Sequence, residues 1–351
     1  MTHRTRSTAG SPALLIPVLA LTASALAGDT LKPARGEEKI LADIRQITFA
    51  DMGLHKAGEA YFSLDGKRIC FQAVPEGQTE YQIYVMNLDG TGLEMVSTGE
   101  GATTCAYFHP DGTKMLFASN HHDQRPAVTP EEIRKAAEEK AGKRNYSWSF
   151  FPGMDLYEYT FATKTLRRLT DADGYDAEGS YSPDGKSIVF TSMRDGDQEI
   201  YICDADGKKP RRVTRVPGYD GGPFFSPDGK QIVYRSDRTG DGNMQIYINT
   251  LDGYNERCLT SGDLLHWCPF WHPSGKSLIY THAVHGGGPP NYDLYMLSAD
   301  GKRTARVTFD PLFDGLPVFS PDGKKLMWTS KRGDLPQAQV FIADFTLPEG
   351  F

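Results

Sequence analysis

Several things are scarce in this 351-residue chain, and each scarcity excludes something. There are only five cysteines (Cys70, Cys105, Cys203, Cys258, Cys268), an odd and scattered set with no CxxC pair and no CxxCH. That set argues for buried thiols rather than a disulfide framework or haem attachment. No GxSxG elbow, HExxH helix, P-loop or strand-borne GxGxxG occurs, which lowers the case for the common enzyme classes. A site assembled from one residue per repeat would escape such motifs. Basic charge is also lacking: the net charge is −7, and it is −9 without the first 27 residues, which hold Arg4 and Arg6 but no acid. A broad nucleic-acid footprint is therefore not expected. No apolar run reaches the ~18 residues of a membrane span.

What is present begins with an export signal. Arg4 and Arg6 precede an apolar run from Ala13 to Leu21, and Ala25-Leu26-Ala27 supplies small residues for cleavage before Gly28. The expectation is a signal peptide at 1–27 and a soluble periplasmic or secreted product; retention as an uncleaved anchor is the alternative.

Glycine is abundant, at 36 residues, and it marks a repeat. FSLDGK (62–67), FHPDGT (108–113), YSPDGK (181–186), FSPDGK (225–230), WHPSGK (271–276) and FSPDGK (319–324) are six copies of one turn. Their spacings are 46, 73, 44, 46 and 48 residues. Proline early in the turn and glycine at its end suit a tight hairpin. Each copy feeds a strand such as SIVFTS, then a second such as QEIYICDADG. A closing strand follows in five copies (LEMVS, LRRLT, RRVT, ERCLT, ARVT), and the sixth is found at the other end of the chain, in Ile44–Thr48. The reading is an all-β six-bladed β-propeller of four-stranded blades over residues 42–346, its last blade closed by the N-terminal strand. An open array is the structural alternative. Residues 28–41 form a linker and 347–351 a tail. The aromatic before each turn (Phe62, Phe108, Tyr181, Phe225, Trp271, Phe319) is assigned to packing between blades.

These units resemble the TolB-like β-propeller family, with its F-S-P-D-G-K turn, V-F-x-S strand, I-Y strand and R-x-L-T closure. The resemblance implies a propeller without the additional N-terminal domain of TolB, since only residues 28–41 precede the first strand. It also implies roles ranging from protein-binding modules and non-catalytic partners of peptidase domains to sugar-acid lyases. TolB itself belongs to a periplasmic assembly linking the two membranes.

The long interval adds roughly 28 residues between KMLFAS and MDLYEY in blade 2, an insertion at 121–150. Thr129 as N-cap, Pro130, Glu132 and a terminating Gly142 predict one helix there, either a lid or a surface decoration. It leaves from the face bearing the two-to-three and four-to-one connections. Six residues before the serine or histidine of each turn motif stand Ala57, Thr103, Asp176, Asp220, His266 and Asp314, near that same face. With Glu59, Glu178, Arg194, Arg235, Arg238, Arg332 and the aromatics Tyr175, Tyr219, Trp267 and Phe313, they form a candidate ligand ring. The arginines clamp an anion or pair with the aspartates. His266, His282 and His285 are candidate ligands for a divalent metal, the only cofactor considered. His109 and His272 are turn residues. The functional expectation is a non-enzymatic module binding a protein or peptide on the insertion face. The alternatives are a metal-assisted lyase or hydrolase acting on an anionic sugar, and a structural module working with a separate subunit.

Overall fold

A computed structural model describes residues 30–123, 150–240, 243–262, 264–284, 291–333 and 335–351. The expected signal peptide, the helix from Thr129 to Gly142 and His285 lie outside them. Six four-stranded antiparallel sheets follow one another; five are built of consecutive strands, and in the sixth the first strand of the chain joins the last three. The inner strands are β2 (Leu54–Phe62), β6 (Thr103–Phe108), β10 (Asp176–Tyr181), β14 (Asp220–Phe225), β18 (Leu264–Trp271) and β22 (Asp314–Phe319). This is the six-bladed propeller that the repeats predict.

Each FSPDGK motif is a turn whose serine hydroxyl bonds the aspartate, as in Ser182 Oγ to Asp184 Oδ1 at 2.7 Å. The turn glycines all have positive φ near +70°, for example Gly185, where a Cβ is strained. Blades 2 and 5 use histidine instead of serine: His272 Nδ1 lies 2.8 Å from Ser274 Oγ, and His109 Nε2 lies 3.1 Å from the carbonyl of Gly185 in the next blade. Both are turn residues, as their positions in the repeat imply. Of the aromatics before the turns, Phe108, Tyr181, Phe225, Trp271 and Phe319 are buried.

The closing R-x-L-T explains itself through its last residue. In every blade that hydroxyl accepts the backbone N–H one residue into the third strand: Ser97 from Ile83, Thr170 from Leu156, Thr214 from Ile200, Thr260 from Ile246, Thr308 from Leu294 and Thr48 from Val340. Thr48 is thus the sixth copy, supplied by the opposite end of the chain. The closing strand itself, β1 (Leu41–Gln46), begins and ends slightly earlier than the sequence pattern indicates; it pairs antiparallel with β24 (Gln339–Phe345). Where the third strand opens with an acid, arginine of the closing motif bonds it: Arg168 to Asp155, Arg212 to Glu199 and Arg306 to Asp293.

Closure has one further element. The guanidinium of Arg332, 3% exposed, is held between Glu37 (2.8 and 2.6 Å) and Asp314 (2.7 Å), both fully buried. Glu37 also accepts the N–H groups of Ala34 and Phe309. The segment before β1 is therefore tied to blade 6 by a buried acid–base–acid cluster. Taking the cation out of such a cluster leaves two buried carboxylates without a counter-charge, at a cost of about 3–5 kcal/mol. Arg332→Met is expected to lower stability by that amount in urea unfolding, and a loss below ~1 kcal/mol would mean that closure rests on strand pairing alone.

Candidate functional site

Inner strands in this chain do not run straight. Each shifts register against its neighbour strand near its start, and at that point one residue has left-handed φ: Glu59 (47°), Cys105 (54°), Glu178 (56°), Gly222 (58°), Cys268 (50°) and Leu316 (55°). Five of the six are not glycine, a conformation costing an L-residue about 1–2 kcal/mol. The ring of bulges surrounds the channel. Three of the freed N–H groups are bonded across blades or across the ring: Glu59 to Thr329 Oγ1 (3.0 Å), Leu316 to Thr281 Oγ1 (3.1 Å) and Gly222 to Glu178 Oε2 (2.6 Å).

Two residues past the bulges, toward the turn face, Tyr61, Tyr107, Phe224 and Phe270 meet in the channel. Their ring centroids are 5.1 to 6.2 Å apart. Tyr61, Phe224 and Phe270 line a cup of about 600 Å³ together with residues that lead toward the insertion-bearing face, Phe151 among them. Its wall carries Glu59, Cys105, Glu178, Arg235, Trp267 and Cys268; Lys56, Lys331, Tyr81, Tyr175, Phe151 and Phe313 stand nearer the mouth. Mixed apolar and charged lining in one concave site is the usual character of a ligand pocket.

Glu178 is the best-anchored group in the cup. It accepts from Thr191 Oγ1 (3.0 Å), Tyr219 OH (2.6 Å) and Gly222 N (2.6 Å), and pairs with Arg235 Nη2 (3.2 Å). The Arg235 guanidinium lies over the rings of Tyr219 (5.4 Å) and Trp267 (6.0 Å), where the ring quadrupole favours a cation. Gly221 and Gly222 make room for this group. A Cβ on Gly222 would come within 1.9 Å of Arg235 Nη1, and one on Gly221 within 2.0 Å of Tyr219 OH. Glu59 accepts from Tyr61 OH (3.3 Å); burial raises its carboxyl above the ordinary range, opposed by a hydrogen bond with Cys105 and the charge of Arg235.

Residues 155–290 match the TolB beta propeller domain family. A TolB homolog from Chlorobium chlorochromatii is 26% identical over 177 residues, covering 46% of this chain and 39% of that protein. The crystal structure of TolB from Acinetobacter baumannii superposes with a TM-score of 0.60 at 21% identity, over 81% of this chain and 65% of that one. An oligogalacturonate lyase from Vibrio parahaemolyticus superposes with a TM-score of 0.55 at 14% identity, over 92% and 97% of the two chains. The chain is a six-bladed β-propeller, and within it residues 155–290 carry the likeness to the TolB beta propeller domain. It matches only about two-fifths of the length of the curated TolB homolog, and the structural likenesses are likenesses of fold.

In this propeller the residues singled out from sequence divide into two groups. Glu178, Arg235 and Trp267 line the cup, with Glu59, Tyr175 and Phe313. Asp176, Asp220 and Asp314 do not line it: they head their inner strands, are 0–1% exposed, and are bonded by Arg194 (2.8 Å), Arg238 (2.9 and 2.8 Å) and Arg332 (2.7 Å). Burial pushes the carboxyl of Asp220 up to about 6 against the opposing pull of Arg238, and it raises Asp176 and Asp314 likewise. The arginines are then stacked on their own blade's aromatics, as Arg238 on Tyr247 at 4.4 Å. Of the two uses open to Arg194, Arg238 and Arg332, the geometry is that of internal pairing.

Blade 5 replaces this pair by His266 opposite His282, their rings 5.0 Å apart, and carries Val284 where blades 3, 4 and 6 have the arginine. Asp293, opposite His282, is taken by Arg306 at 2.8 Å. Among the described residues no three histidine, cysteine or acidic groups converge as a metal-ligand set. His266 and His282 alone are too few donors for a closed site, so no step through a metal is derived. The bulge ring and the four channel aromatics are what sequence reasoning missed; Tyr61, Tyr107, Phe224 and Phe270 do recur four residues after the strand-head positions and so were readable as a layer.

Burial, with the neighbouring His282, lowers His266 from 6.5 to about 4. The folded state thus disfavours the proton that the unfolded chain takes up below pH 6.5. Stability from neutral His266 is complete above that pH and is lost as pH falls toward 4, by about 2–3 kcal/mol. Urea unfolding of wild type and His266→Phe at pH 7 and pH 4 is expected to show the variant gaining that much relative to wild type at the lower pH; parallel pH profiles would contradict the assignment.

Proposed function

We propose that this propeller is an exported, non-enzymatic binding module that receives a segment of a protein or peptide partner in its channel cup. The observation carrying this reading is that rings from four inner strands, Tyr61, Tyr107, Phe224 and Phe270, meet across the channel, and that three of them share one concave lining with the aromatic and charged wall around Glu178–Arg235. Aromatic residues and arginine are the side chains that most often anchor partners. The insertion-bearing face fits the same role: Phe151, at the described end of that segment, lines the cup, and Phe150 packs on Tyr175 at 5.1 Å. Export draws on the signal-like first 27 residues, and among the described residues no helix is long and apolar enough to cross a membrane.

A second reading, a lyase or hydrolase acting on an anionic sugar, is favoured by one feature. Arg235, Lys56 and Lys331 line the same cup as Glu59, and the charge of Arg235 acts on that carboxyl. It predicts turnover of oligogalacturonates that is lost in Glu59→Gln. A metal at His266, His282 and His285 belongs to this second reading and is tested by metal content of untagged protein.

The first reading is tested with photo-crosslinkers at Lys56 and Lys331, at the mouth, and at Lys324, in a turn on the opposite face. One adduct common to both mouth positions and absent from Lys324 is expected. Adducts shared equally by the two faces, or none from the mouth, would remove the cup as the docking site.

A further inference from the structure

The face away from the cup holds a second concave feature with the opposite character. Between blades 3 and 4, along the outer edge, a shallow cleft of about 710 Å³ is lined by Arg211, Arg212, Arg215, Lys230, Leu251 and Asp252. Its floor is made where the closing strand of blade 3, β13 (Arg211–Arg212), meets two turns of blade 4. Arg211 donates to the carbonyl of Leu251 across the blade boundary at 2.5 Å, which holds the two sides together.

Charge concentrates here in a chain that is otherwise acidic. Residues 208–215, KKPRRVTR, hold five cations, in a chain whose net charge is −7. Part of this charge is compensated: Lys208 pairs with Asp206, Lys209 with Asp204, and Arg212 with Glu199. Arg211, Arg215 and Lys230 form no ion pair among the described residues, and all three are exposed. These three border one cleft, in which Asp252, its carboxyl lowered by hydrogen bonds from Thr250 and Tyr254 and in part by the charge of Arg211, is the one acid of the lining.

A second, independent observation lies at the lip. Tyr254 is 85% exposed, one of only two large apolar side chains so displayed among the described residues. It shares a turn with Asp252 and donates its N–H to that carboxylate at 3.1 Å. An exposed aromatic ring in the turn that supplies Thr250, Leu251 and Asp252 to a cleft bordered by exposed guanidinium and ammonium groups matches a sugar ring bearing anionic substituents, since the ring stacks and the anions pair.

We propose that the cleft between blades 3 and 4 is a surface site for an acidic polysaccharide, with Arg211, Arg215 and Lys230 pairing its anionic groups and Tyr254 stacking on a sugar ring. Because the cleft is bordered by turns of the face opposite the cup, a glycan held there leaves the cup mouth open. The site is independent of what the cup binds.

The test uses the full mature chain and affinity electrophoresis in gels containing polygalacturonate, dextran sulfate or neutral dextran. Retardation by both acidic polymers, absent with neutral dextran and weakened by salt, is expected. Three exposed pairs together account for about a tenfold change in affinity. The Arg211→Gln/Arg215→Gln/Lys230→Gln variant should lose retardation by that factor, Tyr254→Ala should weaken it, and Lys56→Gln/Lys331→Gln, at the cup mouth, should not. Lys230→Gln alone makes no inter-blade contact, so it reports on binding even where the triple variant is unstable. No retardation of wild type, retention in the triple variant, loss in the cup-mouth variant, or equal binding to polyglutamate and anionic phospholipid vesicles with no effect of Tyr254→Ala would each overturn the proposal.

Discussion

A ring of blades is only as stable as its last contact, and here that contact joins the two ends of the chain. Five blades are made of consecutive strands; the sixth is completed by β1, so its outer edge is supplied by the N-terminal segment. Two devices hold it. Thr48 takes the place that Thr170, Thr214, Thr260 and Thr308 hold in their own blades, bonding Val340 N and Gln339 Oε1. Arg332 binds Glu37 and Asp314 at once. Without closure the first and last blades would each show an unpaired face, and the channel, hence the cup, would lose its wall on that side.

The same geometry decides which polar groups are available to a ligand. In blades 3, 4 and 6 the inner strand presents its first residue to its own blade, where it is buried, and its bulge residue to the channel. Asp176, Asp220 and Asp314 occupy the first kind of position and are bonded by their blade's arginine, whereas Glu59, Cys105, Glu178 and Cys268 occupy the second. A buried aspartate without that arginine would be costly, so aspartate and arginine go together in blades 3, 4 and 6. Blade 5 dispenses with both, and two neutral imidazoles fill the equivalent level between Tyr280 and Tyr295. Identity at a repeated position therefore reports on packing within a blade; departures from the repeat in the channel layer, such as Arg235 where other blades have Thr191, Thr281 and Thr329, report on the site.

That distinction explains what the sequence made legible. The fold was readable because the turn, the strand pattern and the closing hydroxyl residue, threonine in five blades and Ser97 in one, recur six times, and even the displaced sixth closure stood out as Ile44–Thr48. The strand-head ring was readable as a ring, but whether its members face solvent or a neighbouring arginine is a matter of strand twist and burial that spacing does not encode. The bulge layer left almost no trace, since glutamate, cysteine, glycine and leucine share no chemistry beyond a backbone angle. Gly221-Gly222 was its one local signal, two adjacent glycines in a strand where side chains would collide with Tyr219 and Arg235. The cations of 208–215 are plain in the sequence, yet only folding shows which of them find acids.

A propeller channel crossed by four aromatic rings gives the molecule two unlike faces. Toward the turns, the surface is made of short hairpins whose aspartates are engaged by their own serines and backbone, as Asp322 is by Ser320 Oγ at 2.6 Å; such turns offer little beyond charge. Toward the cup, longer connections and strand starts bring aromatic rings and a buried ion pair into one concavity. Deep recognition therefore belongs to the cup face, where a ligand is desolvated against Trp267 and the aromatic layer, and the energy of contact grows with the apolar area covered. Attachment through exposed charges belongs to the edge, where it is weak for each contact and sensitive to salt. The aromatic layer lies between these two regions, with the cup lining on one side of it and the serine–aspartate turns on the other.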